Sequence, residues 1–474
     1  WSKAEARLLA MKLYDTKAAE LRDFVPIEEG KVGIYVCGPT VQSEPHIGHL
    51  RSALVYDLLT RWLSHLGNQV TLIRNVTDID DKVLEKANEQ GLDWWALAHS
   101  NENHFASDYR ALGMLLPSGE PRATGHIPHM IALIERLIEK GHAYKAEGSS
   151  NVYFDTLSWP AYGELTNQAL DDMESEGDKG EKRNLQDFAL WKATKAGEPE
   201  SASWQSPWGR GRPGWHIECS AMSTHFLGKA FDIHGGGLDL RFPHHENELA
   251  QSLASGDNFA NYWIHNGLVN VGGQKMSKSL GNSVSSRDLF ALAEPAVIRY
   301  YLTTAHYRSV LDYQPSVLEE AASALERLHG FLERCERELG ETQFAEIDKN
   351  PELPSEFIDE MNDDLNIPAA LAVIHDAVTS GNTELDEQQL REAASHRDQV
   401  SKMLEILGLA PSQWSLGVSD EHAALDKLIA SLIARRDQAR ENKDYDTADE
   451  IRDQLDKAGI ELSDGPSGTH WSLS

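Results

Sequence analysis

The stretch from Val32 to Ile73 fixes the class of fold. Val32-Gly33-Ile34-Tyr35-Val36 is an apolar run of strand length. A loop with Gly38, Pro39 and Pro45 follows. Leu50, Leu54, Leu58, Leu59, Trp62, Leu63 and Leu66 then recur at helical spacing, and Gly67 supplies the stop. Val70-Thr71-Leu72-Ile73 reads as the next strand. Strand, loop, helix and strand in this order form a βαβ unit, so the sheet is expected to be parallel and the class α/β. At 474 residues the chain is too long for one core, and about three domains are expected.

Four residues in three separate segments are candidate metal ligands. Cys37 closes the first strand, Cys219 lies in Trp-His-Ile-Glu-Cys, and His244 and Glu248 lie in Pro-His-His-Glu-Asn-Glu. A four-residue step puts His244 and Glu248 on one helix face. Two thiolates, an imidazole and a carboxylate suit zinc. A three-residue step also brings His245 level with Glu248, and spacing does not separate the two histidines. The third cysteine, Cys335, falls on an apolar helical stripe with Leu318, Leu325, Leu328, Leu332 and Leu339 and is assigned to packing. Ser316 and Glu319 have capping-box spacing at the start of that helix.

Two motifs bracket the metal set. His46-Ile47-Gly48-His49 sits between strand and helix, where a helix N-terminus offers N–H groups to phosphate. Gly48 permits close approach to a nucleoside, and His46 and His49 can donate to phosphate oxygens. Lys275-Met276-Ser277-Lys278-Ser279 follows Gly272-Gly273; its ammonium groups can neutralise a departing pyrophosphate, and the glycines allow the loop to move. Alone, the first would be ordinary loop histidines and the second a solvated basic turn. Together, in this order and beside sheet-like sequence, they indicate an ATP site.

Two further segments follow strands. Asp78, Asp80 and Asp81 could bind metal or ribose, and Asp80 and Asp81 equally suit an N-capped helix start. In His234-Gly235-Gly236-Gly237-Leu238-Asp239 the glycines clear space for a ligand and Asp239 could accept from ribose hydroxyls. Near the C-terminus Arg435, Arg436, Arg440 and Lys443 give a locally basic helix, with Trp471 available for stacking on a base or closing a small core.

Composition excludes some classes. No apolar run approaches the roughly 18 residues of a membrane span, and no signal-peptide pattern is read at Trp1 to Arg7. Three cysteines cannot all pair, so a reduced cytoplasmic setting is expected. A formal charge of −31 argues against wholesale coating of nucleic acid. An RNA partner would be held by local patches, stacking and shape.

Taken together, Tyr-Val-Cys-Gly-Pro-Thr-Val at 35–41, His-Ile-Gly-His at 46–49, Arg-Asn-Val-Thr-Asp-Ile-Asp-Asp-Lys at 74–82, Gly-Trp-His-Ile-Glu-Cys-Ser-Ala-Met at 214–222, Phe-Asp-Ile-His-Gly-Gly-Gly at 231–237, Phe-Pro-His-His-Glu-Asn-Glu at 242–248 and Lys-Met-Ser-Lys-Ser-Leu-Gly-Asn at 275–282 resemble the cysteinyl-tRNA synthetases, class I aminoacyl-tRNA synthetases, in their actinobacterial branch. The resemblance implies a Rossmann-type parallel-sheet catalytic domain with an insertion, followed by a helical bundle and a small C-terminal module. The expected boundaries are 1–120 and 214–285 for the catalytic halves, 121–213 for the connective insertion, 286–410 for the stem-contact and tRNA-binding helices, and 420–474 for the anticodon module. Within the insertion, Asp171 to Arg183 is expected to be a mobile loop.

The resemblance also implies one zinc per chain on Cys37, Cys219, His244 and Glu248. It implies ATP with magnesium as substrate, catalysis by His46, His49, Lys275 and Lys278, and adenylate contacts from Gly48, His49, Gly236, Asp239 and Lys278. The cysteine substrate is expected near Cys37, Thr77, Trp215 and His234. The partners are L-cysteine, ATP and tRNA-Cys, the chain is expected to be a monomer, and the zinc would select the substrate thiolate over serine. Many relatives carry Tyr-Asp where Gln42-Ser43 stand here. A ligase joining cysteine to an amino sugar shares the catalytic logic but needs no tRNA modules. A non-catalytic RNA-binding paralogue has no chemical reason to keep both motif loops.

Overall fold

The computed structural model describes residues 11–170, 173, 179–276, 281–340 and 342–414, with shorter stretches between 429 and 473. Most of the expected loop at 171–183 and all of 277–280, including Lys278, lie outside the described residues.

A hairpin of β1 (Lys12–Asp15) and β2 (Glu20–Asp23) precedes the central sheet. β3 (Lys31–Val36), α1 (Ile47–His65) and β4 (Gln69–Arg74) form the βαβ unit. α1 buries Leu50, Leu54, Leu58, Leu59, Trp62 and Leu63, and Gly67 turns the chain at φ +89°. α2 (Asp81–Gln90) and α3 (Trp94–Ala111) follow. Asp80 is the N-cap of α2, accepting from the Lys82 N–H at 2.8 Å. The Asp81 carboxylate pairs with Lys192 at 2.6 Å and with Arg212, so this acid fastens a later segment to the start of α2.

That later segment contains α4 (Ile127–Glu139) and an antiparallel sheet of β5 (Ala143–Lys145), β6 (Val152–Phe154), β7 (Phe188–Ala193) and β8 (Gly211–Pro213). The chain then re-enters the central sheet through α5 (Trp215–Leu227), β9 (Ala230–Gly237), α6 (Glu246–Ala254) and β10 (Phe259–Asn266). The order is β10-β9-β3-β4, parallel throughout. β3 and β9 are neighbours whose chains continue to opposite sides. The crevice beyond their C-terminal ends is the ligand position of an open α/β sheet.

β11 (Val269–Val271) and β12 (Gln274–Lys275) form a hairpin turned by Gly272 and Gly273 at φ +59° and +77°. α7 (Ser286–Leu292), α8 (Pro295–Thr303) and β13 (Leu311–Tyr313), parallel to β11, lead into α9 (Ser316–Leu339), α10 (Ser355–Asn362), α11 (Ile367–Asp386) and α12 (Leu390–Leu407). Cys335 is buried on the apolar face of α9. The expected capping box is not formed. Pro315 precedes α9 in a helical conformation, which places Ser316 inside the first turn rather than at the cap. Gly408 ends α12 in the left-handed region, as its position predicts.

One buried cation ties the helical part to α1. Arg299 donates to the carbonyls of Leu407 and Leu112, both at 2.9 Å, and to the Asp57 carboxylate at 2.6 Å.

Residues 411–474 form a separate compact unit. Ile429, Ile451, Leu455 and Ile460 make its small core, and β14 (Ile460–Gly465) pairs antiparallel with β15 (Gly468–Leu473). The sequence reading missed this hairpin. Arg436 is buried, which removes it from the solvated basic face expected of it, while Arg435 and Arg440 are exposed. Lys443 and the side chain of Trp471 lie outside the described residues. Among the described residues no helix is long and apolar enough to cross a membrane.

Candidate active site

A cavity of about 440 Å³ opens beyond the C-terminal ends of β3 and β9. Cys37, Gly38 and Pro39 line it from the loop after β3, Gly237 and Asp239 from the end of β9, and Trp215 from the start of α5. His46, Gly48 and His49 line it at the start of α1, and Lys275 and Met276 from β12 and the residue after it. The sheet therefore brings both motif loops and one candidate metal ligand to a single opening.

The histidine motif caps its own helix. His46 is the N-cap of α1, and its Nδ1 accepts from the Gly48 N–H at 3.2 Å. The His46 N–H is in turn donated to Nδ1 of His49, also at 3.2 Å. The two rings stack with centroids 3.6 Å apart. Each Nδ1 is an acceptor, so each neutral ring carries its proton on Nε2, where it is a donor. A Cβ on Gly48 would stand 3.1 Å from the His46 ring and 3.3 Å from Cε of Met276, so the two motif loops meet at this glycine. Arg51, one turn on, donates to the carbonyls of Gly267, Leu268, His306 and Ser309 and holds the strand that leads to the lysine motif.

Behind Cys37, which lines the cavity, the candidate ligands converge. The ligand atoms of Cys37, Cys219, His244 and Glu248 all lie within 4.8 Å of one another, and all four residues are buried. Oε1 of Glu248 is 3.2 Å from Sγ of Cys37 and 3.0 Å from Nε2 of His244. His244 also shares a 2.9 Å contact between its Nδ1 and that of His216, and stacks on Trp215 with centroids 4.1 Å apart.

A second grouping, Cys37, His234, His245 and Glu248, meets the same distance limit and shares two members. His245, the rival ligand, has Nδ1 2.7 Å from Nε2 of His265, which in turn reaches Thr16. The set with His244 contains both thiols and is the softer of the two.

The charges follow from burial and closeness. Burial and then the neighbouring Cys219 push the Cys37 thiol well above its usual value. Burial also acts against Cys219, but bonding from Cys37 and His244 outweighs it and brings this thiol down to about 6. Cys219 is thus the more readily ionised of the two sulfurs. Burial opposes protonation of His244, yet Glu248 and Cys219 raise it to about 10. Burial opposes ionisation of Glu248, and His234 and His244 overcome this and hold the carboxyl well below the carboxylate range. Two sulfurs, an imidazole nitrogen and a carboxylate oxygen within 4.8 Å of one another fit a zinc ion, which would displace the protons the metal-free side chains hold.

Other expected site residues lie elsewhere. Thr77 is buried and donates to Oε2 of Glu218 at 3.0 Å, outside the cavity lining. His234 is fully buried behind the ligand set, with Nε2 2.8 Å from Oε2 of Glu248. Gly236 does not line the cavity. A Cβ there would stand 2.9 Å from the His245 ring and 3.0 Å from Leu240, so the missing side chain makes room for protein. The same holds for Gly235, where a Cβ would fall 2.2 Å from the Tyr56 ring. Of the three glycines expected to clear a ligand, Gly237 is the one that borders the cavity.

Sequence reasoning passed over Asn75. Its Oδ1 accepts from the Gly38 N–H at 2.9 Å and lies 3.6 Å from Sγ of Cys219, bridging the loop after β3 to α5. Its position between a strand end and Thr77 was the available signal.

Residues 23–323 match the family of tRNA synthetases class I (C) catalytic domains, residues 356–411 the DALR domain, and residues 422–471 the cysteinyl-tRNA ligase anticodon binding domain. A cysteine–tRNA ligase of Clavibacter sepedonicus is 58% identical over 98% of this chain and 99% of its own. One of Leifsonia xyli is 57% identical over 98% and 100%. Among solved structures, a Mycobacterium tuberculosis methionyl-tRNA synthetase in complex with methionyl-adenylate superposes with a TM-score of 0.58 over 81% of this chain and 91% of that one, at 16% identity, which is a likeness of fold. With whole-length identity of this order and a catalytic-domain match over more than half its residues, the chain belongs to the cysteine–tRNA ligase family of class I aminoacyl-tRNA synthetases.

Proposed function

We propose that this chain activates L-cysteine with ATP-Mg to give cysteinyl-adenylate and pyrophosphate, then transfers the cysteinyl group to a hydroxyl of the terminal adenosine of tRNA-Cys. The observation that carries the reading is one cavity lined by the histidine motif and by Cys37, the cavity-facing member of the sulfur-rich ligand set. The relatives' names and the two RNA-binding family matches support the tRNA acceptor over an amino-sugar acceptor. We assign residues 286–410 to contact with the tRNA body and 420–474 to the anticodon, and read the protein as a cytoplasmic monomer.

Cys37, Cys219, His244 and Glu248 would hold one zinc ion. When bound, zinc supplies a soft acceptor for the substrate sulfur, which serine's oxygen satisfies poorly. The remaining work is positioning and charge stabilisation. His46 and His49 present Nε2–H donors toward phosphate oxygens as charge builds at the α-phosphorus. Gly48 keeps the start of α1 open to the nucleotide, and Asp239 is available to the ribose hydroxyls. Lys275, with Lys278, neutralises the departing pyrophosphate. Trp215 packs the His244 ring and forms a wall of the amino-acid pocket.

The test is cysteine-dependent ATP–pyrophosphate exchange on protein of known zinc content, with serine as control, followed by transfer of labelled cysteine to tRNA-Cys. Exchange with cysteine alone and transfer to tRNA is the expected result. Transfer only to an amino sugar, or no exchange from folded, zinc-loaded protein, overturns the reading.

A further inference from the structure

A separate group of metal-ligating side chains lies on the surface, away from the cavity. His126 ends the short turn Ala123–His126, His129 lies in the first turn of α4, and His225 lies in the last turn of α5. One ring nitrogen from each falls within 4.8 Å of the other two. Nδ1 of His126 is 3.3 Å from Nδ1 of His129, and the His129 and His225 ring centroids are 4.1 Å apart. His126 is half-buried and the other two are exposed. Phe226 packs edge-on against His126 and His225, limiting the positions those two rings can take.

Three imidazoles this close are poorly satisfied on their own. If they are protonated, three positive charges share one small space. If they are neutral, lone pairs face one another and at most one contact can be a hydrogen bond. Burial and then the neighbouring histidines lower the proton affinity of His126 and His129, which favours a metal over a proton at these nitrogens. A cation that accepts all three lone pairs resolves the conflict. Three imidazole ligands with a solvent-open fourth position is an arrangement that zinc adopts, and imidazole also suits nickel and copper.

We propose that His126, His129 and His225 form a second metal site, on the surface, for a divalent transition-metal ion of the zinc, nickel and copper type. The ion joins the start of α4 to the end of α5, with solvent water in its open position. α5 carries Cys219 within the buried set, so the two sites hold opposite ends of one helix. The surface site stabilises the packing of α4 on α5 and takes no part in the chemistry of the cavity.

The test uses the full chain with its buried zinc in place, titrated with Zn²⁺ by calorimetry, with bound metal counted after desalting. The expected result is a second equivalent of Zn²⁺ and a higher thermal midpoint with added Zn²⁺. His129→Gln and His225→Asn, both changes at exposed positions, should each weaken the second equivalent by about tenfold or more. Both should leave the first zinc and cysteine-dependent exchange unchanged. Cys219→Ala should lose the first zinc and keep the second. A parent protein that takes up only one equivalent, or a second equivalent that survives both histidine substitutions, overturns the proposal.

Discussion

Nε2 of His234 stands 2.8 Å from Oε2 of Glu248, deep behind the cavity. The other oxygen of that carboxylate faces Cys37 and His244. His234 therefore fixes which oxygen points at the candidate metal position. A partner of this kind affects affinity without being a ligand. His234→Gln should weaken zinc retention by about 10- to 100-fold with little change in far-UV circular dichroism. Competition against a chelator measures it, and retention equal to the parent's would remove the orienting role.

Cys219→Ala deletes the thiol whose proton affinity the neighbouring Cys37 and His244 lower. Zinc content should fall toward zero and cysteine-dependent exchange with it, while helix content stays close to the parent's. Unchanged exchange in protein lacking zinc would sink the metal assignment.

Lys278→Ala tests the lysine motif in solution, since Lys278 lies outside the described residues. An ammonium that acts mainly on the departing pyrophosphate raises the barrier more than it weakens binding. The rate of adenylate formation should drop far more than cysteine affinity does. Equal losses in both would assign the side chain to ground-state binding.

Gly235→Ala places a methyl group 2.2 Å from the Tyr56 ring. Tyr56 is buried and its hydroxyl donates to the carbonyls of Ile264 at 2.9 Å and Gly236 at 3.1 Å, so the ring has little freedom to move. Overpacking should cost about 1–3 kcal/mol, read as a lowered denaturation midpoint. Unaltered stability would mean that the ring has somewhere to go.

Arg299→Met leaves Asp57 with Arg61 as its remaining cation and the Leu407 and Leu112 carbonyls without this donor, and should destabilise by about 2–4 kcal/mol. Burial acts to raise the Asp57 carboxyl, but Arg299 and Arg61 win and hold it below its usual value. A depressed folded value contributes stability in full above the unfolded carboxyl value of about 3.9. That stability is lost as pH falls through the lower folded value. The gap between variant and parent should therefore be largest near neutrality and narrow below about pH 4. Urea denaturation at several pH values checks the direction.

The parallel sheet was legible because apolar strand, helical stripe and apolar strand occur in immediate succession between Val32 and Ile73. The members of the buried ligand set were legible as residue types, but spacing could not choose between His244 and His245. The two rings diverge in space: His244 falls within reach of Cys219, while His245 meets His265 on β10, a divergence that sequence spacing does not register. The triple glycine was read as ligand space; Gly237 does border the cavity, but Gly235 and Gly236 make room for Tyr56 and His245, which the fold and not the glycine motif brings there. The capping box failed because a helical Pro315 lengthens the helix by one position, which the Ser–Glu spacing cannot register. The surface histidines escaped notice for the same reason as Asn75: each matters only once α4, α5 and the loop after β3 have been packed together.

The buried ligand set draws Cys37 from before the inserted antiparallel sheet and its other three members from after it. During synthesis the first thiol leaves the ribosome long before Cys219, His244 and Glu248 exist. It must stay reduced and unclaimed while the intervening chain is made and folded. The four-residue set is thus complete only after β3 and β9 have paired and both halves of the sheet have joined.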